Sequence, residues 1–367
     1  MFEMKLEKIH PSERKLTVRP LKISTGIPIR GIIPPHMLKQ LVQKGDPAQR
    51  ELAIRTLLVS EKIRGQREAF GEFYVSTPMG KKCINIYDAR NEQDLPGDPV
   101  QHYEDSDDLA VKEASEGADA TYNLYDEIYD RKSIDDRGMC INSTVHYGEK
   151  YDNAFWNGRQ MVYGDGDGEL FERFTKVIDV IGHELTHGVT EYDAGLAYAD
   201  QPGALNESMS DVFGSLVKQR TLGQTAEEAD WLIGEGLFTS KVNGKALRSM
   251  KEPGTAYDDP KLGKDPQPAH MKDFKKLPRS EDNGGVHINS GIPNRAFYVT
   301  AMEIGGNSWE KAGKIWYVTL RDRLRPRSDF KDAARKTIQV AGVMFGAESQ
   351  EKKAVKKGWD TVGVKIK

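Results

Sequence analysis

The sequence predicts an α+β fold with two lobes, a strand-rich lobe followed by a helical lobe, and a separate N-terminal segment. Short alternating or apolar runs between turn residues dominate from about residue 70 to 165, which is typical of strands. Beyond about residue 172, apolar residues recur with helical spacing almost to the end of the chain. The 367 residues, 38% of them hydrophobic, are enough for more than one small core. We place the three parts at residues 1–66, 67–190 and 191–367.

The N-terminal segment is predicted to contain an extended stretch and then two short helices. GIIPPHMLKQLVQKG predicts a helix that starts at a proline and closes at Gly45. In the second helix Asp46 is the expected N-cap, with Pro47 at the first position and Gln49 completing a capping box. Its expected apolar stripe consists of Leu52, Ala53, Leu57 and Leu58. The run IRGQREAFG then indicates an exposed connection open to proteolysis.

The two lobes differ in their predicted elements. The expected strands are FGEFYV, CINIYDA, TVHYG and NAFWN, interrupted by one helix near ADATYNLYDEIYDR. The expected later helices are FERFTKVIDVIGHELTHGVTEY, ALNESMSDVFGSLVKQR, NRAFYVTAMEIGG, SWEKAGKIWYVTLRDRL, DFKDAARKTIQVAGVMFG and EKKAVKKGWDTV. The longest loop runs from about residue 249 to 286, and loops of that length are often functional.

Composition excludes several classes of partner. With 53 basic and 56 acidic residues the net charge is only -3, which argues against nucleic acid as a partner. No apolar run would span a membrane, and the first residues lack the apolar core of a secretory signal. The compartment stays open between the cytoplasm and release by a non-classical route. Cys83 and Cys140 lie far apart, so we expect two ordinary buried thiols. We also expect a monomer.

The pattern HELTH is the main chemical signal. His183 and His187 are four residues apart in a helical segment, so both imidazoles project from one face and can bind a single cation. Glu184 lies about 100° further round the helix, where its carboxylate can hold a water molecule as a general base. The alternative is a chance match on a polar helix face.

A third ligand is needed, because catalytic zinc usually takes three protein ligands and keeps one position open. Glu207 is the candidate, twenty residues after His187 in the segment ALNESMSD. Asp211, one turn later, can bond the outer nitrogen of a ligating histidine, and Asn206 is the other residue expected to support the ligands in this way. The alternative is that Asn206 caps the helix and Glu207 only favours its positive end.

HELTHGVTEYDAGL followed by GALNESMSD resembles the zinc site of the thermolysin family of neutral metallopeptidases. The similarity continues through YDNAFWNGRQMVYGDGDG and EDNGGVHINSGIPNRAFY and covers roughly residues 70 to 365. It implies a two-lobed fold with the zinc helix at the floor of a cleft. It also implies an endopeptidase with one zinc ion bound by His183, His187 and Glu207, and Glu184 as the base.

The resemblance assigns further catalytic residues. Hydrolysis builds negative charge on the carbonyl oxygen, which needs hydrogen-bond donors. Tyr198 and His287 match family residues in that role, and Asp282 can orient His287. Taken alone, His287 would be an exposed turn residue and Tyr198 a packed aromatic.

Substrate-binding residues follow from the same resemblance. Asn153, Ala154 and Trp156 resemble the edge strand that pairs with an extended substrate. Arg248 resembles an arginine that binds a substrate carbonyl. An apolar pocket is expected to be lined by Phe171, Val180 and Leu247, so we expect cleavage on the amino side of large hydrophobic residues. A structural strand, a surface salt bridge and core packing are the respective alternatives.

Calcium binding is expected to be weak or absent. Asp179, Asp230 and Glu235 stand where calcium ligands would, but Lys218 and Leu232 replace expected acids. Calcium needs six to eight oxygen ligands, whereas a fixed ammonium could replace the cation electrostatically. GDGDG lacks the spacing of an EF-hand loop and predicts a tight turn.

The segment with IIPPHML resembles the short pro-segment of the protealysin-like subgroup, although it could be a mere N-terminal decoration. Some relatives carry a cysteine just before this motif that could cap zinc, whereas this chain has Gly31. We therefore expect an intramolecular inhibitor that blocks the cleft sterically until cleavage near residues 64 to 70.

Two rival functions remain at this stage. One is a zinc protein without hydrolytic activity that acts as a binding module. The presence of Glu184, which is not needed to hold metal, together with His287 and Tyr198 argues against it. The other is a zinc aminopeptidase, for which we find no dedicated site for a free amino terminus.

Overall fold

The computed structural model describes residues 30–69 and 81–366. A six-stranded mixed sheet has the order β1-β5-β6-β4-β2-β3. Its strands are β1 Arg30–Gly31, β2 Ile84–Asp88, β3 Asp98–Pro99, β4 Ile141–Val145, β5 Ala154–Trp156 and β6 Met161–Tyr163. The pairs β2–β4 and β4–β6 are parallel and the others are antiparallel. The strand expected in FGEFYV lies outside the described residues.

Most helices of the described chain lie in its second half. The helices in chain order are α1 Pro35–Lys44, α2 Pro47–Ala69, α3 Leu109–Asn123, α4 Ile178–Tyr192, α5 Asp200–Leu222, α6 Asp282–Asn289, α7 Gly291–Ile304, α8 Ala312–Val318, α9 Phe330–Phe345 and α10 Gln350–Thr361. Two small hairpins pair β7 Leu232–Ile233 with β8 Arg248–Ser249, and β9 Asp258–Asp259 with β10 Gly263–Lys264. The expected α+β architecture is confirmed, with the strand-rich part preceding the helical part. None of the described helices is both long and apolar enough to cross a bilayer.

The N-terminal helices follow their sequence signals in part. The capping box is present, since the Gln49 amide donates to Asp46 Oδ1 at 3.0 Å and the Asp46 amide donates to Gln49 Oε1 at 3.2 Å. The predicted apolar stripe is wrong at Leu58, which is 62% exposed, because the buried side of α2 is formed by Ala53, Thr56 and Val59. The helix also continues to Ala69 through the run interpreted as a connection. That run consists mostly of strong helix formers.

Helix α4 lies at the centre of the molecule and all of its residues from Asp179 to Thr190 are buried. It packs against strand β5, against α3 and, most extensively, against α5. The larger of two apolar clusters joins the sheet, these helices and the buried side chains of α1, and the smaller cluster includes Phe155 of β5 and Val162 of β6. The helix that carries HELTH is therefore shielded on every side by other elements.

Glycine permits a close crossing of α4 and α5. Gly182 on α4 faces Gly214 on α5, and a Cβ atom added to Gly214 would lie 2.4 Å from the Asp179 carbonyl oxygen. A Cβ atom added to Gly182 would lie 3.1 Å from the Gly214 Cα. Side chains at these positions would separate the two helices and with them the residues that they carry.

The expectation of two free thiols is wrong, because Cys83 and Cys140 form a disulfide bond. Each cysteine directly precedes one of the parallel neighbours β2 and β4, which are in register at Ile84 and Ile141. This pairing brings the two Cα atoms to 4.6 Å. Both cysteines are half-buried. Their proximity is created by strand pairing across 57 residues, which spacing in the sequence does not reveal.

We expect the double variant Cys83→Ser/Cys140→Ser to lose about 2–4 kcal/mol of unfolding free energy, because the crosslink closes a long loop in the unfolded chain. Denaturant unfolding of the double variant and of the wild-type chain measures this loss. The wild-type chain treated with reductant should unfold like the double variant. Two free thiols in denatured, unreduced wild-type protein would contradict the bond.

Candidate metal centre and substrate cleft

Three buried side chains converge between α4 and α5. His183 and His187 lie one turn apart on α4, with ring centroids 4.7 Å apart. Glu207, in the second turn of α5, places Oε2 3.6 Å from His183 Nε2 and Oε1 3.4 Å from His187 Nε2. One ligand atom from each of the three residues lies within 4.8 Å of the others.

This arrangement has the chemistry of a metal site. His183 Nε2 is buried without a hydrogen-bond partner among the described residues, and it faces carboxylate oxygens. Nitrogen lone pairs and carboxylate oxygens repel one another unless a proton or cation lies between them. Two imidazoles and one carboxylate form the ligand set of many catalytic zinc sites, with a fourth position left for water. The residues present therefore fit a zinc ion.

Hydrogen bonds on the far side of each imidazole fix its orientation. His183 Nδ1 lies 2.8 Å from Asp211 Oδ1. His187 Nδ1 lies 2.8 Å from Asn206 Oδ1 and 2.9 Å from Ser210 Oγ. An Nδ1 proton donated outward leaves the Nε2 lone pair for a metal. Sequence reasoning selected Asp211 and Asn206 but missed Ser210, whose position one turn after Asn206 was the available signal.

Asp211 also binds the buried side chain of Arg248. The Arg248 Nε lies 2.9 Å from Asp211 Oδ2 and Nη2 lies 2.8 Å from Oδ1, while Asn294 Nδ2 donates to Oδ2 at 2.7 Å. Burial would raise the pKa of Asp211, but Arg248 and His183 hold it well below its usual range. Arg248 is buried, so the surface salt bridge considered as an alternative does not apply. Asn294 was not anticipated from the sequence.

Glu184 lies at the boundary between α4 and the sheet. Its side chain is fully buried, and Oε2 accepts a hydrogen bond from the Trp156 amide at 3.0 Å. The sequence had suggested Trp156 only as part of a substrate-pairing strand. The contact instead connects strand β5 directly to the candidate base.

Tyr198, His287 and Asp282 form a second group beside Glu207. The Tyr198 hydroxyl donates to Glu207 Oε1 and lies 3.2 Å from His287 Nε2, and His287 Nδ1 is hydrogen-bonded to Asp282 Oδ1. Burial would lower the pKa of His287, but Glu207 and Asp282 raise it to about 9. The structure brings all three side chains together, and His287 is buried, unlike an ordinary exposed turn residue.

The backbone before His287 explains how this loop reaches the site. Residues 282 to 285 all have positive φ, so a left-handed turn precedes the helical residues of α6. Gly284 cannot be replaced freely, because its φ of 87° is a backbone conformation that residues with a Cβ atom rarely adopt. The Asp282 carboxylate accepts a hydrogen bond from the His287 backbone amide at 2.9 Å, which closes the turn.

The N-terminal segment pairs with β5, the strand that was expected to bind substrate. Strand β1 pairs antiparallel with β5, with Gly31 opposite Phe155. Beyond β1, the Ile32 amide donates to the Ala154 carbonyl at 3.1 Å and the Ile33 amide donates to Asn153 Oδ1 at 3.0 Å. Arg248 Nη1 donates to the Ile32 carbonyl at 3.3 Å.

The three expected pocket residues are buried in the same core. Phe171 forms an isolated bridge with Phe238, Val180 lies on α4, and Leu247 precedes Arg248 at the start of β8. Ile32, which is completely buried, belongs to this core as well. The N-terminal segment thus contributes apolar side chains to the core that contains the three expected pocket residues.

The acidic positions considered for calcium surround Lys218. Its ammonium lies 2.6 Å from Asp230 Oδ2, 3.4 Å from Glu235 Oε2 and 3.6 Å from Asp179 Oδ2. Burial raises the pKa of Asp179 to about 6 even though Lys218 opposes this effect. Leu232 contributes a backbone amide that donates to Asp230 Oδ1 at 2.8 Å.

The GDGDG segment forms a tight turn. Asp167 Oδ1 accepts hydrogen bonds from three successive backbone amides there.

Two family models match the chain. The catalytic domain of thermolysin metallopeptidases matches residues 61–191, and their alpha-helical domain matches residues 194–364.

Relatives match over different shares of their length. An extracellular metalloprotease of Pectobacterium carotovorum subsp. carotovorum is 49% identical over 93% of this chain and 98% of that protein. Protease PrtS of Photorhabdus sp. (strain Az29) is 47% identical over 92% of this chain and 93% of its own. Thermostable neutral protease NprT of Geobacillus stearothermophilus is 42% identical over 80% of this chain but only 53% of its own. A solved precursor of protealysin, a metalloproteinase from Serratia proteamaculans, has a TM-score of 0.83 and 51% identity, and covers 92% of this chain and 100% of its own.

We expect Asp211→Asn to weaken zinc binding by about 10–100-fold, because an amide is a poorer partner for His183 and leaves the Arg248 charge unpaired. Competition with a chromogenic chelator measures the zinc affinity. Asp273→Asn, at an exposed aspartate, is the matched control. A folded Asp211→Asn protein that keeps wild-type zinc affinity would remove Asp211 from the metal centre.

Proposed function

Because the chain belongs to the thermolysin family of zinc metallopeptidases, we propose that it cleaves peptides on the amino side of large hydrophobic residues, with Glu184 as general base. Family membership makes it a metalloendopeptidase, and its similarity to a metalloproteinase precursor supports production as a zymogen. The observation that carries the proposal is the convergence of His183, His187 and Glu207 beside the Glu184 carboxylate.

His183, His187 and Glu207 would hold the zinc ion. The chemistry that zinc would supply when bound is Lewis-acid chemistry, which polarises a substrate carbonyl and lowers the pKa of a water molecule. The task left to Glu184 is to take a proton from the attacking water and deliver it to the leaving amine. Its burial and its bond to the Trp156 amide support this role, because both hold the carboxylate at the side of α4 that faces strand β5.

Tyr198 and His287 would stabilise the negative charge that develops on the carbonyl oxygen. The separation of 3.2 Å between the Tyr198 hydroxyl and His287 Nε2 allows both groups to approach one oxygen atom. Asp282 holds His287 at Nδ1, which leaves Nε2 directed towards the cleft. Asp282 is therefore proposed as a positioning residue for His287.

Substrate would bind as an added strand on β5. The hydrogen bonds from Ile32 and Ile33 to Ala154 and Asn153 indicate that this edge accepts an extended chain. Arg248 would bind a substrate carbonyl as it binds that of Ile32. Phe171, Val180 and Leu247 would then favour a large apolar side chain next to the scissile bond.

The pro-segment would inhibit by occupying these same groups. Its antiparallel pairing with β5 and the hydrogen bond that it accepts from Arg248 would exclude any other peptide from β5. Gly31 supplies no metal-binding side chain, so this inhibition depends on steric exclusion. The proposed boundary of the pro-segment is residue 66, with cleavage between residues 64 and 70.

Glu184→Gln is expected to lower kcat by about 10²–10⁴-fold while zinc content stays at wild-type level, because the amide cannot accept a proton. A fluorogenic peptide assay combined with metal analysis tests this. Glu191→Gln, at the other end of α4, is the control. N-terminal sequencing of active wild-type enzyme should give a start between residues 64 and 70.

Three results would contradict the proposal. The first is a zinc-loaded Glu184→Gln protein with activity comparable to wild type. The second is an active enzyme that still begins at Met1. Proteolysis that persists after chelation would remove the metal mechanism altogether.

Calcium dependence is a separate matter, and we propose that Lys218 replaces a calcium ion. One ammonium within 3.6 Å of three carboxylates supplies positive charge where the acids would otherwise repel one another. Lys218 also fills the space that a cation and its ligands would need. The cluster ties α5 to α4 and to the segment around β7.

We expect Lys218→Met to lose about 2–4 kcal/mol of unfolding free energy, because Asp179 would remain buried without its partner. Lys218→Glu should recover stability when millimolar calcium is added, as the site then offers four carboxylates. Thermal unfolding with and without calcium measures both effects, with the exposed Lys245→Met as control. Wild-type protein that gains several degrees from calcium would contradict the replacement.

A further inference from the structure

His36 lies in the first turn of α1, at the interface between the pro-segment and the rest of the chain. Its Nε2 is 3.1 Å from the hydroxyl oxygen of Tyr257, a residue in the loop between β8 and β9. The same face of the pro-segment touches the neighbouring hairpin, since Lys261 Nζ lies 3.8 Å from Asp46 Oδ2. The His36–Tyr257 contact is therefore one bond within a wider docking surface.

The neutral form of His36 suits this position. One ring nitrogen is engaged with Tyr257, whereas Nδ1 is buried and has no hydrogen-bond partner within residues 30–69 and 81–366. A neutral imidazole needs only one N–H donor. A protonated ring would carry a second N–H, which would be buried without an acceptor.

Burial is the main obstacle to protonation of His36. It lowers the pKa of His36 most, Asp282 raises it, and His287, Arg248 and Lys39 lower it further. The result is a pKa of about 4 in the docked state, against 6.5 for an unperturbed histidine. Lys39 is exposed, so its effect is screened by solvent.

We propose that His36 is an acid-sensitive latch: its neutral ring holds the pro-segment in the cleft, and protonation loosens this docking. The inference rests on the proposed zymogen function and adds the condition under which the inhibitor is released. It requires no metal-binding side chain in the pro-segment, which is consistent with Gly31.

The direction follows from proton linkage. The undocked state binds a proton more readily than the docked state, so docking is strongest above about pH 6.5 and weakens as the pH falls towards 4. Between pH 7 and pH 5 these two pKa values correspond to about a 20-fold weaker docking equilibrium. The full effect, reached below pH 4, is about 300-fold.

The test uses the zinc-loaded, full-length Glu184→Gln chain, which does not digest itself. Amide hydrogen exchange in α1 is measured at pH 7 and pH 5, corrected for the intrinsic exchange rates of an unstructured peptide. Amides in α5 serve as the internal reference for the stability of the catalytic part. We expect protection in α1 to fall by about 20-fold relative to α5 at pH 5.

Variants separate the latch from general acid sensitivity. His36→Gln keeps a polar group near Tyr257 but cannot be charged, so α1 protection should be nearly independent of pH. Tyr257→Phe removes the hydroxyl but leaves His36 titratable, so docking weakens at both pH values and the pH dependence remains. His102→Gln, at an exposed histidine, should behave like the parent.

The outcomes distinguish the latch from the zymogen function. Equal protection of α1 at both pH values in the parent chain, or the same loss in His36→Gln, overturns the latch and leaves the zymogen intact. Absence of α1 protection at pH 7 overturns both. An NMR titration that places the His36 pKa near 6.5 in the docked chain also overturns the latch.

Discussion

The close crossing of α4 and α5 is the constraint on which the rest of the structure depends. Helices usually pack about 8–10 Å apart, separated by their side chains. At Gly182 and Gly214 no side chain intervenes, and the backbone of one helix lies against the other. The proposed metal ligands of α4 and α5 are therefore held at fixed separation by backbone contact. A centre built on such contacts changes little in geometry when a ligand binds, which is what preorganised catalysis requires.

A line of polar contacts runs from this crossing to the substrate cleft. Asp211 lies next to the metal ligand His183 on one side and Arg248 on the other, and Arg248 reaches the Ile32 carbonyl. A buried guanidinium is costly unless it is paired. The carboxylate that orients a metal ligand thus also makes the buried arginine tolerable. The metal centre and the carbonyl-binding group are for this reason parts of one unit.

Sequence reasoning recovered the features that depend on local spacing. The interval of four residues in HELTH and the position of Asp211 one turn after Glu207 fix side-chain directions on their own helices. The pairing of Asp211 with Arg248 and Asn294, across 37 and 83 residues, depends on how distant elements pack. The disulfide was missed for the same reason, since only strand register brings Cys83 next to Cys140. The predicted helix ALNESMSDVFGSLVKQR begins later than α5, which starts at Asp200 and has Pro202 in its first turn, a position that proline tolerates.

The proposed pro-segment would act as an inhibitor without supplying a ligand for the metal. Strand β1 and the residues after it satisfy backbone groups of the edge strand, while Ile32, Ile33 and Met37 bury apolar surface against the catalytic part. Each of these contacts is weak enough to reverse, but covalent connection gives the segment a high effective concentration at the cleft. Cleavage of the connection removes that advantage without changing any contact. Release of the inhibitor is therefore governed by the strength of a few interface bonds, and a bond whose strength depends on protonation, such as the one between His36 and Tyr257, has its largest influence at that step.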